Sequence, residues 1–391
     1  MNELIVRIAA RGDGVTASGR HVPFGVPGDA VLDDGGLAFG QHHQEPQCRH
    51  FPECGGCQLQ HADDEAYRDY LVSRVDTALA QHRLETEIRP PHLSPPNSRR
   101  RATLKALQVG QTLLIGFNAE MSHRIVDMQE CHVLCPELFA LIDPLRHLLL
   151  GMLIPRRIAD IQMTLIDGGV DLSMKGVPAG RLSEIEQLTS FAMKHELARL
   201  SVDRGLGPEP LVEPQPASVT LSGVRVAFPT GSFLQATEDG EVALIEGVEE
   251  AVAGSGVIAD LFSGLGTFAL AIRATYAGEA SRDAAAALKR AAPSVTVEHR
   301  DLYRRPLDSH ELKRFDAVIL DPPRAGAEEQ VASLVGSSVT RIAYVSCNPA
   351  TFARDAKALV EGGHLLDWVK PVGQFRWSTH VELCGCFTRG G

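Results

Sequence analysis

Cys347 stands where an apolar, β-branched run (Ile342 to Val345) meets a helix-compatible segment reaching Val360, inside RIAYVSCNPATFARD (341–355). The pattern predicts strand, sharp turn and helix, with Asn348 as N-cap and Pro349 as first helical residue. A thiol at a strand's carboxyl end, one residue outside a helix N-terminus, is expected to lean toward thiolate and attack an electrophile. A buried strand-end cysteine is the plainer alternative. His380 and Glu382, two apart on a later strand, point to one face, and by itself such a glutamate reads as a surface or salt-bridged one. A second group lies upstream: Cys48, Cys54 and Cys57 are spaced C-x5-C-x2-C around Gly55 and Gly56, and CHVLCPEL adds Cys131 or Cys135. Thiols divided three and one suit an iron–sulfur cluster; zinc, usually held by two paired units, and no metal at all are the other readings.

The elements that must position these groups change character along the chain. Residues 1–45 alternate short apolar runs with Gly and Pro turns, as in a small β barrel or a structural hairpin cap. Residues 46–227 carry the cysteines, a helical run over 63–90 with Tyr67, Leu71, Val75 and Leu79 on one stripe, and then mostly antiparallel sheet with a helix near 181–199. Helix 63–83 is expected to pack on the C-terminal domain. SPPNSRRRATLK brings Arg99, Arg100, Arg101 and Lys105 together, either as a solvated turn or as an RNA phosphate contact. From 228 to 391 strands alternate with helices, the signature of a doubly wound α/β sheet. Ligands of such sheets lie over the carboxyl ends of the strands. Asp260, Glu279, Asp301, Asp321 and Cys347 all fall there, and Gly264 to Ala269 fits GxGxxA.

With 391 residues, 44% hydrophobic and 22% charged, the chain is long enough for two or three domains with real cores. A net charge of −11 argues against binding nucleic acid by bulk electrostatics, so RNA contact requires a local patch. No apolar run spans a membrane, and the N-terminal residues lack a signal-peptide pattern. These features predict a cytoplasmic chain whose eight cysteines are thiols or ligands rather than disulfides.

GSFLQ (231–235), DLFSGLGTF (260–268), DPPRAG (321–326), YVSCNPATFARD (344–355) and HVE (380–382) together resemble the bacterial RNA uracil-C5-methyltransferases that use S-adenosylmethionine. The cysteine group resembles the iron–sulfur branch of that family, which modifies 23S ribosomal RNA. The resemblance covers essentially the whole chain. It implies a C-terminal Rossmann-like class I methyltransferase domain, a β-rich central domain with a [4Fe-4S] cluster, and a small OB- or TRAM-like N-terminal barrel. It implies Cys347 as nucleophile and Glu382 as base. Gln235, Phe262, Thr267, Glu279, Asp301 and Asp321 become cofactor or substrate contacts, and Cys48, Cys54, Cys57 and Cys131 cluster ligands, in a monomer acting on a flipped or looped uridine. The same chemistry on transfer RNA, or a non-catalytic RNA-binding protein, are the rival readings. The chain departs from the family at 373–379, where GQFRWST replaces D-x-F-P-x-T, so that Trp377 stacks on a base or packs, and at Thr267, where Asn is usual.

Overall fold

The computed structural model describes residues 3–390. Strands buried on both faces read as apolar runs; Ala317–Leu320 does so without a break and Ile258–Leu261 with Asp260 as its one polar residue, and the two lie parallel at the centre of a nine-stranded sheet. Counted from Ile258–Leu261, the domain's own strands run in the order 3-2-1-4-5-7-6. The seventh, Glu382–Thr388, is antiparallel between Arg341–Ser346 and Leu365–Gly373. Alternate residues feed two cores. Val318, Leu320, Ile342 and Tyr344 face helices Asp64–Gln81, Glu328–Val335 and Pro349–Glu361, while Ile319, Ala343 and Val345 face Glu238–Ala251.

The domain limits drawn from sequence shift at two places. The helix expected over 63–90 begins at an Asp63 cap and stops at Gln81, because Arg83 takes a left-handed φ of 59°. Its Tyr67, Leu71, Val75 and Leu79 stripe buries against Phe352 and Ala356 of the C-terminal domain. Glu87–Ile88 and His92–Leu93 then pair with Leu365–Gly373. Residues 64–93 are therefore part of the C-terminal sheet layer. The hairpin Ser218–Leu221/Val224–Ala227 also shares a core with Leu265 and Leu288.

The central domain is a six-stranded sheet, antiparallel except where Gly169–Lys175 and Arg199–Asp203 run parallel across helix Leu182–Lys194. Five short antiparallel strands between Glu3 and Ala38 form the N-terminal sheet, whose Ile8 and Val26 dock into the core around helix Asp64–Gln81. Among the described residues no helix is long and apolar enough to cross a membrane.

Candidate active site

The ladder between Arg341–Ser346 and Glu382–Thr388 pairs Ser346 with Leu383. One residue beyond the Ser346–Leu383 pair, Cys347 follows its strand and Glu382 begins its own. Both line a cleft of about 760 Å³ together with Gln235, Phe262, Thr267, Glu279, Asp301 and Asp321, so all eight side chains singled out in the sequence reach one cavity.

Much of the surrounding motif sequence holds loops in place. Asn348 caps helix Pro349–Glu361 by accepting from Ala350 N–H, and its Nδ2 donates to the Arg324 carbonyl at 3.1 Å. Thr351 Oγ1 donates to the same carbonyl. Asp355 accepts from Ala327 N–H at 2.8 Å and from Tyr344 OH at 2.6 Å. Gly326 has a φ of 84°, and a Cβ there would stand 2.6 Å from Asp355 Oδ2 and Arg354 Nη2. DPPRAG is thus clamped to the Cys347 turn. On the opposite wall Glu279 accepts from Gly264 N–H (2.8 Å) and Ser281 N–H (2.6 Å), which turns its carboxylate into the cleft. Phe262, at φ 63°, packs its ring at a tilt of 56° against that of Tyr303, with centroids 5.5 Å apart.

Carboxylates dominate the electrostatics. Burial raises the Glu382 pKa to about 7 against the opposing Gln374 hydrogen bond and the Arg101 and Arg324 charges. Burial, then Glu382, Asp260 and Glu279, hold Asp321 well above the usual range. Asp260, with no exposed surface, lies under the cleft rather than in it; its Oδ2 accepts from Ala269 N–H and burial lifts it to about 8. The expectation of a thiolate-leaning Cys347 is overturned. Burial pushes that thiol up to about 11, Glu382 and Asp321 push the same way, and Arg324 opposes them. A low-dielectric pocket with two adjacent carboxyls outweighs the end of one helix. Glu279, Asp301, Asp321 and Glu382 share the cleft with Arg99, Arg101 and Arg324, so it carries both signs of charge.

The altered loop 373–380 is held by contacts of its own. A Cβ on Gly373 would lie 2.8 Å from Leu71 Cδ1 and 3.0 Å from Leu93 Cδ2, so the usual Asp does not fit against this helix. Tyr67 OH donates to the carbonyls of Phe375 and Ser378, Tyr70 OH to that of Thr379, and Arg376 pairs with Asp64. Trp377, 1% exposed, packs on Cys57 and Val133, and its carbonyl accepts from Gln58 and Leu59 N–H. Packing, not base stacking, is its role.

A protein described as an uncharacterized RNA methyltransferase from Zymomonas mobilis is 51% identical over 98% of this chain and 99% of its own length. The 23S rRNA (uracil(1939)-C(5))-methyltransferase of Shewanella frigidimarina is 31% identical over 88% of this chain and 82% of its own. The chain belongs to the RNA uracil-C5-methyltransferase family. The family model for tRNA (Uracil-5-)-methyltransferase matches residues 291–389. The crystal structure of Pyrococcus abyssi tRNA (uracil-54, C5)-methyltransferase in complex with S-adenosyl-L-homocysteine superposes with a TM-score of 0.76 at 24% identity, covering 99% of both chains. The fold is that of a class I methyltransferase with a mostly β N-terminal part.

In this RNA uracil-C5-methyltransferase the basic run is divided between core and cleft. Arg100 is buried against Glu241 at 2.8 Å, and Lys105, on the same strand face as Arg101, pairs with Asp160, so neither forms a free phosphate patch. Arg99 and Arg101 line the cleft, Arg101 lying 4.3 Å over the Phe233 ring. Arg324 and Gln374 are contributors that sequence reasoning does not assign, and Arg101 enters it only within the candidate RNA phosphate contact. The alternation of Arg99 and Arg101 and the Arg within DPPRAG are the available signals; nothing local marks Gln374.

Cys48, Cys54, Cys57 and Cys131 line one pocket, whereas Cys135, 6% exposed, packs with Leu134 and Leu138. Burial raises all four pocket thiols, Cys48 to about 11 and Cys57 to about 12. Among the described residues no three His, Cys, Asp or Glu side chains form a group able to hold a metal ion. The four thiols share a pocket without forming such a group.

Proposed function

We propose that this enzyme methylates C5 of a uridine in 23S ribosomal RNA with S-adenosylmethionine as donor, acting as a monomer. The observation that carries the reading is a thiol and a carboxylate on adjacent strands opening into the same carboxylate-rich cleft. Gln235, Phe262, Thr267, Glu279, Asp301 and Asp321 are the residues that would hold the donor, and their acidic character suits a sulfonium. When bound, the donor supplies an electrophilic methyl group. Uracil C5 is too weak a nucleophile to accept it unaided. Cys347 reacts as its thiolate, after losing the thiol proton to solvent; Sγ then bonds to C6 and the displaced C5–C6 π pair enriches C5. After C5 is methylated, Glu382 takes its proton, and the released pair expels the Cys347 sulfur. A uridine within a stack cannot be reached from both sides, so it must be flipped out.

Cys48, Cys54, Cys57 and Cys131 form a soft donor set that would hold a [4Fe-4S] cluster, and their link to Trp377 suits a structural brace. The ribosomal assignment leans on the Shewanella relative and on this cysteine group. Nucleoside mapping in cells lacking the protein tests it. Loss of one 5-methyluridine from 23S RNA is expected; loss from transfer RNA moves the substrate, and loss from neither removes the reading.

A further inference from the structure

The cleft that holds Cys347 and Glu382 continues onto the central domain. It shares Gly55 and Phe117 with a second groove of about 540 Å³, lined by Thr103, Lys105 and the loop 118–123. The junction lies on the proton-accepting side. The Arg99 guanidinium stands 5.6 Å over the Phe117 ring and 5.1 Å over that of Phe375, and Phe375 packs 5.7 Å from His380, two residues before Glu382. Planar groups therefore run from the base wall into the groove, and unpaired bases stack on ring and guanidinium faces. Arg99 spends Nε on the Arg101 carbonyl at 2.9 Å and, among the described residues, forms no ion pair, which leaves its outer nitrogens for a phosphate.

The far wall of the groove is a braced turn. Ala119 N–H donates to the Arg124 carbonyl (2.7 Å), Ser122 N–H to that of Ala119 (3.1 Å) and Gly55 N–H to that of Asn118 (3.0 Å), while Arg124 pairs with Glu53. At its tip Met121 takes a left-handed φ of 47° and is 88% exposed. A lone exposed methionine is ordinary; this one stands on a fixed turn at the rim of a groove that opens into the cleft, and a flexible thioether adapts to the faces of different bases. Lys105 is tied to Asp160 at 2.6 Å and Glu120 adds negative charge, so the groove offers stacking faces rather than a phosphate track. We propose that it holds the unpaired RNA flanking the target uridine, with bases stacked on Phe117 and Met121 and one phosphate on Arg99. This rests on the reading of the cleft as a uridine site. A duplex would present no free base faces to the turn, so the occupant is a single strand.

The test uses whichever RNA the nucleoside mapping identifies, 23S or transfer RNA, transcribed with 4-thiouridine and cross-linked to the full-length enzyme by ultraviolet light. Cross-links on the peptide spanning 117–123 are expected. Met121→Glu is expected to remove them and to raise the Kd for the unsubstituted transcript about tenfold, the worth of one stacked base. Met193→Glu, which places the same charge on another exposed methionine on helix Leu182–Lys194, is expected to stay within about twofold of the parent. Cross-links confined to the cleft, with Met121→Glu binding as tightly as the parent, overturn the groove and leave the methyltransferase reading standing. If mapping finds neither RNA to be a substrate, both readings fall.

Discussion

The pH dependence of the proton-removal step is set by the cleft. With a Glu382 pKa of about 7, about one-eleventh of the enzyme carries the ionised base at pH 6, half at pH 7 and about ten-elevenths at pH 8. Adduct resolution should therefore accelerate about tenfold between pH 6 and 8 and then level off. Adduct formation depends on Cys347, whose thiol is pushed up to about 11, and should keep rising about tenfold per pH unit beyond pH 8. Rapid mixing of enzyme, donor and RNA, quenching into denaturant and counting covalent complex and methylated product separates the two steps. A resolution rate that is flat or falling from pH 6 to 8 would refute the assignment of the base. A formation rate that levels off near pH 8 would mean that the carboxylates around Cys347 do not control its ionisation in the RNA complex.

Cys347→Ala is expected to abolish methylation while donor binding by calorimetry stays within about twofold, since the thiol is spent on the uracil ring; measurable turnover would exclude the nucleophile. Glu382→Gln should trap an adduct visible as a shifted band on a denaturing gel. The same variant should be the more stable protein above pH 7. Glu382 titrates at about 7 folded against an ordinary 4.5, so the folded state binds the extra proton and loses stability as pH rises through that window, by an upper bound of about 3 kcal/mol. Thermal melts at pH 5 and 8 check the sign. Gly373→Ala should cost about 1–3 kcal/mol by overpacking Leu71 and Leu93, read as a lowered urea midpoint. Removing Arg100 should leave Glu241 buried and unpaired at a cost of about 3–5 kcal/mol. Arg101→Ala should instead weaken RNA binding with little loss of stability.

The strand-turn-helix around Cys347 is legible locally because an apolar run, an N-cap and a proline each favour the same backbone. The carboxylates at strand ends can be placed for a related reason, since a doubly wound sheet gathers its carboxyl ends on one edge. Local pattern cannot contain quantities set by neighbours distant in sequence. The thiol's ionisation escapes it because Glu382 and Asp321 come from other strands. The sequence reading places helix 63–83 in the central region with packing on the C-terminal domain expected, but its stripe does not say that the partner residue is Phe352. The loss of Asp and Pro before Glu382 looks like weakened support in the sequence. Yet Tyr67, Tyr70 and Asp64, whose bonds to that loop span 308 to 312 residues, carry it together with the cysteine loop. Residue types and their order alone thus determine which groups could do the chemistry and which edge of the sheet would collect them. Only the tertiary structure decided their protonation and the division of three adjacent arginines between core and cleft, because burial and through-space charge depend on residues far apart along the chain.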